Sequence, residues 1–379
     1  MSIDEAHHFR TALLSWHAGC KRPLPWKGER DPYRIWLSEV VLQQTRVEQG
    51  MPYYERLASA YPTVEALAQA PLDELLKHWQ GLGYYSRARN LHAAAQEIAN
   101  KYGGVFPSTF EGIRSLRGVG DYTAAAVGSF AFGLPHAVLD GNVYRVLARF
   151  WGIETPVNTP KGREQFAALA QTLLDTERPG AYNQAIMDFG ATLCRPRRPL
   201  CGECPLSDRC VAFRQGRITE LPQKKPGRPR QSRFFLYAVF LQAGRVWMQQ
   251  RLSGDIWANL YEFARVETDA LPSDVAAAAA QLKERFFPGG APVEWRGVYG
   301  PYRQALSHRI VHALFYVFEG SPAEPIAHPP VDTTACAAGW WPIEEVDKKV
   351  PLPKIIAQFW RKKVLSCRTD ESNHQYKLF

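Results

Sequence analysis

Hydrophobic and polar residues follow mostly helical patterns from Ile3 to about Phe213, with glycine and proline marking the breaks. Asp31-Pro32, an N-cap residue followed by proline at the first helical position, predicts a helix that runs through Glu39 to about Gln49. Further helices are predicted at Thr63–Ala70, Leu72–Gln80, Ser86–Lys101, Thr109–Leu116, Asp121–Ala131, Gly141–Trp151, Gly162–Thr176 and Tyr182–Leu193. The first half of the chain is therefore expected to be all-α.

The pattern changes after a basic segment, Gln223–Ser232, which has little helix or strand potential. Aromatic and β-branched residues on both sides of Ala243-Gly244 predict a hairpin of two strands, Phe234–Gln242 and Val246–Gln250. Strands are also predicted at Val298–Tyr302 and Val311–Phe318, and a helix at Ser273–Phe286. We therefore expect a helical domain at 1–222, a basic linker at 223–232, a smaller α+β domain at 233–365 and a flexible tail at 366–379.

The composition indicates a folded protein with a charged partner. The 379 residues are 46% hydrophobic and 22% charged, which excludes a largely disordered chain. The N-terminus is polar, and the longest apolar run, Phe234–Leu241, is far shorter than the roughly 20 residues that span a bilayer. We expect a cytoplasmic monomer without membrane contact. The net charge of +9 favours a polyanion such as nucleic acid as its partner.

Four cysteines crowd into one short segment with the spacing C-x6-C-x2-C-x5-C: Cys194, Cys201, Cys204 and Cys210. Cytosolic cysteines rarely form disulfides, so a local cluster of four indicates a metal site rather than buried unpaired thiols. Four thiolates suit either tetrahedral zinc or an iron–sulfur cluster. The unequal spacing favours a loop around a larger object, the cubane cluster, because zinc ribbons usually have two CxxC pairs.

The segment Leu116–Thr123 lies between two predicted helices. Gly118 and Gly120 permit a tight turn and a close backbone approach, and Asp121 begins the next helix. Free backbone N–H groups at such a helix start can bind a phosphate. A plain helix connection would show the same two glycines.

Several motifs together resemble one known family. Leu116–Thr123 resembles the helix-hairpin-helix of base-excision DNA glycosylases, and Val138–Val143 resembles their catalytic aspartate segment. The cysteine loop at 194–210 resembles the 4Fe–4S signature of the endonuclease III branch, which implies one 4Fe–4S cluster per chain. The match narrows to the adenine DNA glycosylase (MutY) family at Pro23–Trp26, Trp36–Val47, Gly81–Arg87 and Tyr182–Ala185.

Excision of adenine requires protonation of the base and stabilisation of a cationic sugar. Glu39 is the candidate general acid if burial raises its pKa. Asp140 is the candidate carboxylate that stays ionised and either stabilises the cationic sugar or traps it covalently. Without the resemblance, a helix-surface role for Glu39 and a simple N-cap role for Asp140 would be the favoured readings of the sequence. Asn142 is expected to hydrogen-bond Asp140 or the attacking water. Tyr122 stands where strand-nicking relatives have a lysine, and because a phenol forms no Schiff base, a monofunctional enzyme is expected; its hydroxyl is expected to hydrogen-bond Asp140.

The resemblance also implies a DNA-reading surface, since the target base must leave the helical stack. Gln44 would fill the vacated position, Tyr84 would stack beside the opposite base, and Ser307 and His308 of a Nudix-like second domain would help to recognise 8-oxoguanine. Leu306 stands where the family has phenylalanine. Arg22, Trp26 and Gln184 would line the adenine pocket. The remaining DNA-binding residues would be Thr45, Arg87, Gly118 and Gly120. The second domain lacks the glutamate-rich helix of a Nudix hydrolase, so magnesium-dependent hydrolysis is not expected.

The sequence thus favours a monofunctional glycosylase that removes adenine opposite 8-oxoguanine or guanine in double-stranded DNA. An endonuclease III-like enzyme acting on oxidised pyrimidines and a non-catalytic DNA-binding redox sensor remain as alternatives. The terminal residues Gln375, Leu378 and Phe379 are similar to the motif by which bacterial repair proteins bind the replication sliding clamp. Docking of this tail on its own protein is the alternative.

Overall fold

A computed structural model of the chain describes residues 2–20, 22–287, 292–320 and 335–365. By their contacts these residues form two compact units. The first, called here the helical unit, contains the described residues up to Gln69 together with Arg89–Gly227. The second, called the sheet unit, contains Ala70–Ala88 and the described residues from Arg228 onward. Ala70–Ala88 therefore groups with the sheet unit although it lies, in the sequence, within the predicted helical domain.

The predicted helices of the first half are all present; Ser86–Lys101 and Gly141–Trp151 have the predicted bounds, and the others differ at one or both ends. Helices Ile3–Ala18 and Val47–Ala60, whose bounds were not predicted, are also present. In chain order the helices are α1 (Ile3–Ala18), α2 (Pro32–Leu42), α3 (Val47–Ala60), α4 (Val64–Gln69), α5 (Leu72–Trp79), α6 (Ser86–Lys101), α7 (Phe110–Ser115), α8 (Asp121–Phe132), α9 (Gly141–Trp151), α10 (Pro160–Leu173), α11 (Pro179–Thr192) and α12 (Val211–Arg214). Among the described residues, no helix is long and apolar enough to cross a membrane.

The helix predicted to extend to about Gln49 ends at Leu42 instead. Gln44 has a backbone φ of +56°, in the left-handed region that cannot continue a right-handed helix. The next helix, α3, then packs closely on α2, because a Cβ atom on Gly50 would lie 2.8 Å from Leu42 Cδ2. This corner leaves Gln44 exposed to solvent and outside any helix.

The core of the helical unit is formed largely by α9 and α11. Apolar residues of α9 such as Val146 and Leu147 are fully or almost fully buried, and they belong to one cluster with Phe166 of α10 and Phe189 of α11. Because α9 begins directly after Asp140, the packing of this helix fixes that residue at the edge of the core.

The sheet unit contains a seven-stranded mixed sheet. Its strands are β1 (Gln231–Gln242), β2 (Arg245–Arg251), β3 (Tyr261–Glu262), β4 (Ala264–Thr268), β5 (Val293–Ala305), β6 (Arg309–Gly320) and β7 (Ala335–Pro342). The order is β3-β2-β1-β6-β5, with β4 added to β1 and β7 added to β2. The predicted hairpin and the strands within β5 and β6 are confirmed, whereas β3, β4 and β7 were not predicted.

The long central strands β1 and β6 are parallel, with Phe235 opposite Ala313 and Phe240 opposite Phe318. Helix α13 (Val275–Phe286), predicted from the sequence, buries Leu282 and Phe286 in a cluster with Phe240. Two short helices, α14 (Ile343–Lys349) and α15 (Lys354–Phe359), follow the last strand.

Candidate active site

Glu39 lies in the middle of α2 and is buried, with 6% of its surface exposed. Burial raises the pKa of its carboxyl from 4.5 to about 7; the hydrogen bond from Tyr122 opposes this rise, and the charge of Asp140 adds to it. A carboxyl with this pKa carries a proton at neutral pH in a substantial fraction of molecules, as a general acid requires. Glu39 is therefore not a helix-surface residue.

Tyr122 lies in the first turn of α8, which packs against α2. Its hydroxyl donates a hydrogen bond of 2.7 Å to Oε2 of Glu39. The predicted hydrogen bond to Asp140 is therefore wrong for this structure, because the packing of the two helices directs the phenol at Glu39. Burial and the neighbouring carboxylates raise the pKa of Tyr122 well above 10, so the phenol remains a donor.

Asp140 is the N-cap residue of α9 and has three hydrogen bonds. Oδ1 accepts from the backbone N–H groups of Asn142 and Val143, both at 2.8 Å, and Oδ2 accepts from Asn142 Nδ2 at 2.6 Å. The predicted contact with Asn142 is thus present, and the N-cap reading is also correct. Burial raises the pKa of Asp140 overall, and the three hydrogen bonds, which favour the ionised form, offset only part of this rise.

A cavity of about 590 Å³ opens onto Glu39. Its walls include Trp26 and Gln184, two of the residues predicted for the adenine pocket. Arg22, the third, is held nearby through Asp188 on α11: Arg22 Nη1 donates to Asp188 Oδ1 at 2.7 Å. This volume lies within the range of roughly 300–1,000 Å³ that is usual for small-molecule sites.

Asp188 is a site residue that the sequence analysis missed. Its side chain is completely buried and pairs with His17 and Lys27 as well as Arg22. Hydrogen bonds from His17, Arg22 and Gln184, together with the charge of Arg22, lower the pKa of Asp188 to about 2 despite its burial. An aspartate on the apolar face of the predicted helix 182–193 was the available signal.

The helix-hairpin-helix segment joins α7 to α8. Gly118 has a φ of +79°, and a Cβ atom there would lie 2.6 Å from Asn90 Cβ, so both backbone conformation and space require glycine. Gly120 precedes α8 and provides no side-chain cap for its first N–H groups. The exposed side chain of Asp121, at the start of α8, is paired with Arg114.

The four cysteines predicted as metal ligands line one small cavity, together with apolar residues such as Leu193 and Phe213. Burial raises the pKa of Cys204 to about 12, so its thiolate is costly unless a cation compensates it. In the described part of the chain, no three His, Cys, Asp or Glu side chains are close enough for a single metal ion. Four sulfur donors around one apolar cavity fit a cluster that is larger than one ion.

Two buried arginines of α9, also missed from the sequence, connect this cavity with the N-terminal end of the helix, where Asp140 lies. Arg149 Nη1 lies 3.5 Å from Cys194 Sγ and donates to the carbonyl oxygen of Arg195 at 2.8 Å. Arg145 donates to Cys194 O at 2.7 Å and to Asn142 Oδ1 at 2.9 Å. Asn142 in turn donates to Asp140, so a continuous hydrogen-bonded path leads from a cysteine of the loop to the candidate catalytic carboxylate.

The remaining predicted DNA-binding residues fall into two groups. Gln44 and Thr45 lie at the corner between α2 and α3 in the helical unit. Tyr84, Arg87, Ser307 and His308 lie in the sheet unit, where Ser307 Oγ donates a 3.3 Å hydrogen bond to the Tyr84 hydroxyl. Gln375, Leu378 and Phe379 lie outside the described residues.

Helix α13, at the position expected for a Nudix carboxylate helix, carries only one acidic residue, Glu284. It therefore lacks a run of carboxylates for magnesium.

Three family descriptions match parts of the chain. Residues 37–171 match the HhH-GPD superfamily of base excision DNA repair proteins, and residues 194–210 match the iron–sulfur binding domain of endonuclease III. Residues 236–362 match the NUDIX domain. The predicted helical glycosylase fold, iron–sulfur loop and Nudix-like second domain are thereby confirmed.

Curated relatives and solved structures agree with this division. The adenine DNA glycosylase of Buchnera aphidicola (Schizaphis graminum) is 33% identical over 261 residues, which are 69% of this chain and 75% of that protein. The human adenine DNA glycosylase is 44% identical over 55% of this chain but only 40% of its own length. A thermostable thymine-DNA glycosylase structure, 31% identical, superimposes with a TM-score of 0.52 over 56% of this chain and 98% of that one. Because the Buchnera relative is matched over three quarters of its length, this chain belongs to the adenine DNA glycosylase (MutY) family.

Proposed function

We propose that this chain is a monofunctional glycosylase that hydrolyses the N-glycosidic bond of adenine opposite 8-oxoguanine or guanine in double-stranded DNA, as the first step of repair. The observation that carries the proposal is the buried Glu39, with a pKa of about 7, at the wall of a cavity of about 590 Å³ that has room for a base. The names of the relatives support adenine as the base that leaves.

The carboxyl of Glu39 donates its proton to the adenine ring, which makes the base a better leaving group. Asp140, held by three donors, stabilises the cationic sugar that forms as the bond breaks. Water then adds to the anomeric carbon of the sugar, and the proton that this water loses replaces the one Glu39 gave to adenine. Tyr122 keeps Glu39 oriented through its hydroxyl. Because this position holds Tyr122 and not a lysine, no Schiff base with the sugar forms there and the DNA strand is not cut.

The same proposal assigns DNA contacts. Backbone N–H groups at the start of α8 bind a phosphate, and Gln44, exposed at its corner, enters the position that the flipped adenine leaves. Tyr84, with 47% of its surface exposed, stacks beside the opposite base, and Ser307 hydrogen-bonds that base. The positive net charge adds non-specific attraction to the DNA backbone.

For the cysteine loop we propose a 4Fe–4S cluster bound by Cys194, Cys201, Cys204 and Cys210. When bound, such a cluster compensates the buried thiolates and orders the loop. The arginines of the loop, Arg195, Arg197, Arg198 and Arg209, then face DNA phosphate. No step of base excision is assigned to it. Brown protein with four irons per chain is the expected composition, and one zinc per chain in a colourless, fully active protein contradicts it.

The decisive experiment uses duplexes with a single adenine opposite 8-oxoguanine, guanine or thymine, assayed with and without alkali. The proposal predicts adenine release from the two mispairs and strand scission only after alkali. Scission without alkali, with preference for oxidised pyrimidines, supports an endonuclease III-like enzyme instead. Binding of the duplexes without any base release supports a non-catalytic DNA-binding protein. Glu39→Gln is the matched inactive control.

The terminal residues Gln375, Leu378 and Phe379 carry a second, independent proposal, docking to the sliding clamp. It rests only on the similarity of the sequence to clamp-binding motifs. Deletion of 375–379 is expected to abolish capture of the chain by immobilised clamp and to leave adenine excision from a short duplex unchanged. Capture that survives the deletion contradicts it.

A further inference from the structure

The loop Gly81–Tyr84, called here the Tyr84 loop, is held by three residues that are far away in the sequence. These residues, Val350–Leu352, are called here the brace. Gln80 Oε1 accepts the backbone N–H of Leu352 at 2.9 Å, and the Tyr85 hydroxyl donates to the Leu352 carbonyl at 3.2 Å. Both polar groups of Leu352 are thus bound by the two residues that flank the loop. All of these residues belong to the sheet unit.

The brace is itself anchored. Lys77 Nζ donates to the carbonyl of Val350 at 2.9 Å and to Gln80 Oε1 at 3.3 Å. The carbonyl of Pro351 accepts the backbone N–H of Tyr261 in β3 at 2.9 Å. The brace therefore links the Tyr84 loop to the central sheet, and Val350 and Leu352 have no exposed surface.

Helix α5, which leads into the loop, is attached to the same strands. The carboxylate of Asp73 accepts from Gln250 Nε2 at 2.9 Å and from the Tyr261 hydroxyl at 3.1 Å. The Tyr84 loop is thus held on its N-terminal side by Asp73 and Gln80 and on its C-terminal side by Tyr85.

Tyr84 needs this support because its backbone is strained. Its φ of +49° lies in the left-handed region, which is unfavourable for a residue with a large side chain. Its ring is nearly half exposed, so burial of the ring contributes little to keeping it in place. Its hydroxyl accepts the hydrogen bond from Ser307 Oγ, so a displacement of Tyr84 would also change the orientation of the Ser307 hydroxyl.

We propose that Gln80 is a positioning residue which, through Leu352, fixes Tyr84 beside Ser307 and thereby sets the preference for 8-oxoguanine over guanine opposite the target adenine. This inference rests on the proposed function. Guanine and 8-oxoguanine differ at C8 and N7, and a serine hydroxyl distinguishes such polar groups only when its own position is fixed. Gln80 contacts neither base in this scheme.

The test compares Gln80→Leu, which removes the acceptor, with Gln80→Glu, which keeps it. Gln96→Leu on α6 is the matched control, because it deletes an exposed amide whose bond to Ala68 O is long, 3.5 Å. Gln80→Leu is expected to raise KM for the A:8-oxoguanine duplex about fivefold, the usual effect of one lost hydrogen bond, with an unchanged rate at saturation. KM for A:G changes less than twofold, and Gln80→Glu and Gln96→Leu resemble the unmodified protein.

Amide hydrogen exchange of peptides within 80–88 gives a readout that does not depend on catalysis. Faster exchange in Gln80→Leu but not in Gln80→Glu supports the positioning role. Unchanged exchange with unchanged base preference, or equal damage in the Leu and Glu variants, overturns it. If Gln80→Leu does not fold, Tyr85→Phe removes the other bond to Leu352 and is judged by the same criteria. If the unmodified protein releases no adenine, the proposed function fails, while the exchange data still show whether Gln80 orders the loop.

Discussion

Replacement of Glu39 by glutamine should make the protein more stable at alkaline pH while it abolishes adenine release. The buried carboxyl has a pKa of about 7 in the folded chain, against 4.5 as its ordinary value. Between these two pH values the folded protein binds a proton that the unfolded chain has lost. The stability contributed by protonated Glu39 is therefore present below about pH 4.5 and is lost as the pH rises through 7.

The size of the effect follows from the shift. Roughly 2.5 pKa units, at about 1.4 kcal/mol per unit, correspond to a cost of about 3 kcal/mol above pH 7. A glutamine carries no titrating proton, and its side-chain oxygen can still accept the hydrogen bond from Tyr122. The stability difference between Glu39→Gln and the unmodified protein should therefore grow from under about 1 kcal/mol at pH 5 to about 3 kcal/mol at pH 8.5.

Urea unfolding under anaerobic conditions, followed by circular dichroism at the two pH values, measures this difference. The cluster loop is the same in both proteins, so its contribution cancels in the comparison. Leu42→Met, on the same helix and non-titrating, serves as the control whose effect should not depend on pH. A difference between Glu39→Gln and the unmodified protein that is equal at pH 5 and pH 8.5 would show that the pKa of Glu39 is not raised.

Three further outcomes are expected. Because the hydrogen bond from Tyr122 lowers the pKa of Glu39, Tyr122→Phe should move the alkaline fall of the single-turnover rate upward by about one pH unit; a downward movement contradicts the hydrogen-bond assignment. Arg145→Gln should slow excision at least tenfold through Asn142 and Asp140 with little change in DNA affinity, measured by single-turnover rates and filter binding; an unchanged rate contradicts the path. Cys201→Ser should weaken DNA binding more than the intrinsic rate of the folded fraction, and an unaffected dissociation constant is the opposing result.

The sequence predicted most of the helices because their signals are local. Helices begin directly after Asp31 and Gly120, as predicted, and Asp140 is the N-cap residue of α9. The end of α2 was misjudged because Gln43 and Gln44 are ordinary helix formers, and only the packing of Gly50 on Leu42 shows why the chain turns there.

The site was predicted where motifs specify it and missed where only packing does. Glu39, Tyr122 and Asp140 are brought into one buried group, but the partner of the Tyr122 hydroxyl depends on how two helices face each other, which no local pattern contains. Asp188 and Arg145 were missed because a charged residue on an apolar helix face is recognisable as a paired, buried ion only when its partners are known. The parallel pairing of β1 with β6 was also not predicted, because it joins strands 67 or more residues apart and no local pattern shows which strands become neighbours.

The assignment of Ala70–Ala88 to the sheet unit has a consequence for the order in which the protein folds during synthesis. The ribosome makes this segment well before the strands and the brace to which it hydrogen-bonds, since Gln80 and its partner Leu352 are 272 residues apart. At roughly 5–20 residues per second, the segment waits on the order of 10 s or longer for its partners. During that time Leu75, Leu76 and Trp79, all fully buried in the finished protein, lack part of their surroundings. We therefore expect these three apolar side chains to be partly exposed until the sheet unit is made, and to stay so in a protein truncated after Gly227.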